Sequence, residues 1–185
     1  MEISPVTDQP IAFLSDLGTG GTLLMWGVRA VSVGQCQCPA LTTGFARAFE
    51  GEAVNVLSHL ALFVKKLGTE GYRPVIFGAP GCRDLTHDEL SVVSSVAAAQ
   101  LGQKCLRNMH LQWLLGRKPS YGLQDTADNV ADLFGCFDYR LSVTQAKTSR
   151  SMINRPFTVY TGGLMRHGQY KNDSPRDAHS QHTTE

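Results

Sequence analysis

No stretch of this sequence is both long and apolar enough to cross a bilayer, which takes about 20 residues. The longest candidate, Thr22 to Val33, is broken by Arg29. The opening Met1-Glu2-Ile3-Ser4-Pro5 has neither the basic region nor the apolar run of a secretory signal, so a cytoplasmic protein without a membrane span is expected. Charge is also sparse: charged residues make up 18% of the chain and the formal net charge is +1. That small total hides a split. Residues 1–139 carry 10 Lys and Arg against 13 Asp and Glu, whereas residues 140–185 carry 7 against 3. A surplus of four positive charges spread over that tail is far thinner than a polybasic arm, so nucleic acid is not the expected partner.

The signatures of common chemistries are missing as well. There is no G-x-S-x-G and no recognisable Ser-His-Asp set, which removes the usual acyl-transfer machinery. Gly18-Thr19-Gly20-Gly21-Thr22 precedes a helical pattern but has no P-loop lysine, and Leu23 stands where a dinucleotide fingerprint needs its third glycine. It reads as a flexible turn with Thr22 as the cap of the next helix. Five cysteines, an odd number, do not make a disulfide framework, and thiols are expected.

What is present is helical periodicity. Thr22 to Gly34 is apolar around most of its circumference and is predicted to lie at the centre of the core. Pro39 to Phe49 reads as a short helix. Glu52 to Leu67 reads as a longer one, with Ala53, Val56, Leu57, Leu60, Phe63, Val64 and Leu67 on one face, His59 among the polar residues opposite, and Gly68 as its stop. Pro74, Gly78, Pro80 and Gly81 break regular helix between Arg73 and Gly81, leaving a connector with at most one short extended pairing near Val75 to Phe77. Thr86 with Glu89 three residues on forms a capping box, with Leu85 and Leu90 placed as its hydrophobic staple, so a helix should run from there to about Leu101. Gln103 to Leu115, stopped by Gly116, and Leu123 to Phe134 complete the set. Cys105 and Cys136 fall among apolar residues of these helices and are expected to act as small hydrophobes, and His110 as a histidine at the core edge.

The expected fold is therefore all-α: one small domain of about five or six helices over residues 21–139, after an N-terminal segment 1–20 and before a disordered, basic tail over 140–185. Such a body buries roughly two-thirds of the surface of its unfolded chain, enough to fold without metal or disulfide.

Two residue sets carry candidate chemistry. Arg29 is the only charge in the most apolar helix, and a guanidinium there must find a carboxylate, carbonyls or, by snorkelling, solvent. Asp84, Asp88 and Glu89 are the candidate partners of a structural ion pair, and an anion-binding role is the alternative. Cys36, Cys38, Cys82 and His87 together supply the ligand count of a structural zinc site, although Cys-x-Cys is tighter than the usual ligand spacing. The same residues would serve a thiol-redox pair.

The Trp26 to Arg29 helix, Arg73-Pro74 and the stretch Pro80-Gly81-Cys82-Arg83-Asp84-Leu85-Thr86-His87-Asp88-Glu89 are similar to short, uncharacterised helical proteins of alphaproteobacteria, over roughly residues 20–115. That resemblance implies a helical domain in a bacterial cytoplasm and brings no activity, cofactor or catalytic residue with it. Amphipathic helices without a catalytic constellation point to a non-enzymatic protein-binding or regulatory module with an unidentified protein partner. No cofactor is expected, zinc being the alternative.

Overall fold

In the computed structural model, which describes residues 12–142, the chain is all-α. A 3-10 turn at Leu14–Leu17 leads into α1 (Gly18–Ser32), followed by α2 (Pro39–Phe49), a second 3-10 turn (Glu50–Glu52), α3 (Ala53–Glu70), α4 (His87–Gln100), α5 (Lys104–Leu115) and α6 (Tyr121–Cys136). Among the described residues no helix is long and apolar enough to cross a membrane. Beyond residue 142, the expected disordered tail lies outside the described residues.

The central helix is α4, not the predicted α1. Ten of its fourteen residues are buried, and it packs against α1, α5 and α6. Its small side chains make this possible: Ser94, Ser95, Ala97 and Ala98 let neighbouring helices approach on several sides. Ser95 satisfies its hydroxyl within the helix, donating to the Val92 carbonyl at 2.8 Å. Helix α1 instead turns an edge outward through Ser32 and Val33. Its apolar circumference is shared between the core and the half-buried Trp26, whose ring lies over Gly44, where a Cβ would sit 2.4 Å away.

The glycine-rich run is also not a turn. It forms the first turn of α1, with the 3-10 turn before it held by the Asp16 carboxylate, which accepts from the Phe13 amide at 3.0 Å. Thr22 is inside the helix and donates to the Leu14 carbonyl at 3.1 Å instead of capping. Close packing explains the glycines: a Cβ at Gly20 would meet the Arg140 carbonyl oxygen at 3.0 Å, and one at Gly21 would meet Leu17 at 2.6 Å.

Boundaries elsewhere shift by a few residues. Helix α3 runs past Gly68 to Glu70, where Lys66 and Glu70 pair at 3.7 Å along its surface. Helix α6 begins at Tyr121, because the Ser120 hydroxyl caps it by accepting from the Leu123 amide at 3.1 Å. Helix α5 ends as expected at Gly116, which takes the left-handed conformation (φ 67°) that favours glycine. Among the described residues the one isolated bridge joins Phe13 to Asp84, so the extended pairing is not at Val75 to Phe77. The chain after α6 packs back on the bundle. Phe49 meets Phe134, Phe137 and Tyr139 edge-on, and Gln100 donates to the Tyr139 carbonyl while accepting from the Leu141 amide.

The capping box at α4 is formed on both sides. The Thr86 hydroxyl accepts from the Glu89 amide at 3.1 Å, and the Glu89 carboxylate accepts from the Thr86 amide at 2.8 Å. The same hydroxyl donates to the Ile76 carbonyl at 2.8 Å, so it serves the connector as well as the helix. Loss of a cap alone costs about 1 kcal/mol, and a second hydrogen bond adds to it. Thr86→Ala is therefore expected to lower unfolding free energy by roughly 1–2 kcal/mol, whereas Thr86→Ser should retain most of it. Chemical denaturation of both variants measures the difference.

Candidate functional site

The first turn of α4 presents adjacent carboxylates, Asp88 and Glu89, and each takes one arginine. Glu89 takes Arg29 from α1. Both side chains are fully buried, at 0% and 1% exposure, and pair in the two-pronged geometry of guanidinium and carboxylate, Nε to Oε1 at 2.6 Å and Nη2 to Oε2 at 2.9 Å. The remaining Arg29 donors reach the connector backbone: Nη1 the carbonyls of Cys82 at 2.5 Å and Ala79 at 3.5 Å, and Nη2 that of Asp84 at 2.8 Å. A guanidinium has five N–H donors, and these contacts use all of them. Glu89 is equally saturated, since it also accepts from the amides of Gly78 and Thr86, both at 2.8 Å. The hydrogen bonds to Glu89 raise the Arg29 pKa above its ordinary value against the opposing cost of burial, with the charges of Glu89, Cys82 and Asp84 adding to the rise.

This geometry is that of an ion pair and leaves no donor for an exogenous anion. Of the three acids proposed from sequence, Glu89 pairs through its side chain, Asp84 contributes only its carbonyl, and Asp88 goes elsewhere. Gly78 is where it must be: a Cβ there would lie 2.9 Å from Arg29 Nη2.

Asp88 takes Arg73, again two-pronged, at 2.8 and 3.1 Å, and accepts from the Ile76 amide at 2.7 Å. Arg73 then donates from Nε to the Trp113 carbonyl at 3.2 Å, and its guanidinium lies over the Trp113 ring, 4.4 Å from the centroid. The neighbouring residue repeats the arrangement. The Tyr72 amide donates to the Leu115 carbonyl at 2.8 Å, and the Arg117 guanidinium lies 4.8 Å over the Tyr72 ring. Met109 sits one turn before Trp113 on α5. Large parts of these side chains face solvent: Tyr72 is 78% exposed, Met109 67% and Trp113 49%. Two aromatic rings, each under an arginine, and a methionine one turn from Trp113 are thus exposed near where α5 meets the start of the connector.

Sequence reasoning missed this surface. The signal was in α5: with Arg107, Leu111, Leu114 and Leu115 buried, a step of 100° per residue places Met109 and Trp113 opposite Leu111. The same step exposes Cys105, and Cys136 at the end of α6 is exposed too, so neither thiol is the small core hydrophobe expected. His59, read from sequence as a solvated residue, is half-buried, with its ring Nδ1 2.9 Å from the Asn55 carbonyl.

Cys36 and Cys38 lie in the turn between α1 and α2, Cys82 in the connector and His87 at the start of α4, with the thiols only half-buried. Among the described residues no group of three or more His, Cys, Asp or Glu side chains is placed to hold a metal ion. The His87 Nε2 is buried without a hydrogen-bond partner. Two open clefts lie elsewhere on the surface. One, of about 270 Å³, lies between α3 and α6 along Asn55, His59, Asn129, Asp132 and Cys136, and no hydrogen bond joins His59, Asp132 and Cys136. The other, of about 580 Å³, runs along Lys104, Tyr121, Asp125 and Asp128, where Arg107 is already held by Asp128 and Gln124.

No family model matches the sequence, and no curated protein or solved structure is significantly similar to it.

Two predictions follow from these geometries. Arg29→Met leaves the Glu89 carboxylate buried and unpaired, so it should cost roughly 3–5 kcal/mol, the range for breaking a buried pair. The double variant with Glu89→Leu should cost less than the sum of the two single changes, and a double-mutant cycle by denaturant titration reads that difference. Burial lowers the His110 pKa below its ordinary value of 6.5. The unfolded chain therefore takes up this proton first, and the stability linked to His110 is full above that value and lost as pH falls through the folded one. Thermal midpoints should drop as pH falls below the ordinary histidine value of 6.5, and less steeply in His110→Gln.

Proposed function

We propose that this chain is a non-enzymatic helical module that binds another protein through the surface made by Tyr72, Arg73, Met109, Trp113 and Arg117. The observation that carries the reading is that Trp113 and Tyr72, each beneath an arginine, are held at the surface and not in the core. Trp, Tyr and Arg are the side chains that dominate binding energy at protein interfaces, and methionine adapts to varied apolar partners.

Rigidity supports the same reading. Arg73 is fixed at three points, by Asp88, by the Trp113 carbonyl and by the Trp113 ring, so little side-chain freedom is left to lose on binding. Tyr72 is tied to α5 through its amide. By contrast, the two clefts are open to solvent: in one, Leu133 and Cys136 lie beside Asn55, His59, Asn129 and Asp132, and in the other Arg107 is already held by Asp128 and Gln124.

Photo-crosslinking tests the reading. A benzophenone amino acid placed at Met109 in the native cells should give one predominant adduct, identified by mass spectrometry, and the same group at Asn129 on α6 should not. Tyr72→Ala with Trp113→Ala should remove the adduct while changing stability by no more than about 1 kcal/mol, as expected for exposed side chains. Equal labelling from both positions, or none from either, would sink the proposal.

A further inference from the structure

We infer that the segment received by this surface is acidic, presenting a carboxylate beside an apolar side chain. The inference rests on the reading of the surface as a protein-binding one and adds the chemistry of the partner. Arg117 and Lys118 stand at its rim, and neither forms an ion pair among the described residues. Arg117 offers the fork of donors that matches a carboxylate while its face stays on Tyr72. The acids nearby are engaged: Asp88 holds Arg73, and Glu70, two residues before Tyr72, pairs with Lys66 at 3.7 Å. The surface is thus locally positive on a body whose residues 1–139 carry 13 acids against 10 bases. Met109 and Trp113 supply the apolar half, one turn apart on the same face of α5.

Charge separates this occupant from two others. A second copy of the chain, docking symmetrically, would bring Arg117 and Lys118 against the same cationic surface with no acid to compensate. A single-stranded nucleic acid would stack on Trp113 and Tyr72, but its phosphates need a cationic track, and two unpaired cations on an acidic body do not make one. A short acidic segment needs only the local field and the apolar ledge.

The test is a titration of the ¹⁵N-labelled full chain followed by NMR. Its two tryptophan indole signals are told apart by the spectrum of Trp113→Phe. The probes are one synthetic helical peptide with leucines on one face and glutamates on the other, its glutamine and lysine versions, and oligo(dT). The glutamate peptide is expected to shift the Trp113 indole and the Tyr72 and Arg117 amides, and to bind at least about tenfold tighter than the glutamine version. That advantage should shrink at high salt and vanish in Arg117→Glu, whose buried-residue signals report that it still folds. Equal binding of the glutamine or lysine version, or tighter binding of oligo(dT), would overturn the inference. So would self-association in sedimentation that is lost in Trp113→Ala. If no peptide binds while the adduct at Met109 persists, the acidic inference fails and the protein-binding reading stands; loss of both removes both.

Discussion

The pairing of Arg29 with Glu89 is the constraint on which the rest of this structure depends. A guanidinium taken wholly out of water is tolerated only when every donor is met, and an unmatched buried charge costs several kcal/mol. Here the five donors are met by one carboxylate and three carbonyls of the connector between α3 and α4, and the carboxylate in turn receives two connector amides. Moving the connector would leave charge unpaired in the interior. The pair therefore sets how α1 lies against α4 and the path of the chain between Gly78 and Thr86.

The same helical turn carries the effect to the surface. Adjacent residues on a helix point about 100° apart, so while Glu89 faces the interior and Arg29, Asp88 faces the edge and Arg73. Asp88 fixes Arg73, Arg73 stacks on Trp113, and the neighbouring Tyr72 is bound to the end of α5. A capping box that starts a helix thus also seats a buried cation on one side and arranges an exposed aromatic pair on the other. The exposed rings are held in place because Arg73, Asp88 and the Tyr72 amide are each hydrogen-bonded behind them.

Much of the fold was legible because helix formation is local. The Thr86-x-x-Glu89 box placed the start of α4, Gly116 the end of α5, and the spacing of Val56, Leu60, Phe63 and Leu67 the buried face of α3. The need of Arg29 for a partner followed from its charge in an apolar helix, and the nearby acids could be named from their place beside the connector. What was misread turns on packing: the apolar circumference of α1 pointed to it as the central helix, whereas the small residues of α4 let that helix sit at the centre, and glycines taken for a turn were helix positions under close neighbours.

The candidate site was less legible, for a physical reason. Tyr72 and Arg73 follow α3, whereas Trp113 and Arg117 are some 40 residues further on, and periodicity carries no information on which helix end meets which connector. The sequence by itself determined an all-α chain, the Thr86–Glu89 capping box, the Gly116 stop, and an arginine in an apolar helix that needed a partner or a route to solvent, since each follows from local hydrogen bonding or from the cost of burying charge. Only the tertiary structure decided that Glu89 is the carboxylate, that Asp88 is left for Arg73, and that Trp113 and Tyr72 face solvent beneath arginines, because those outcomes depend on how separate helices share one interior.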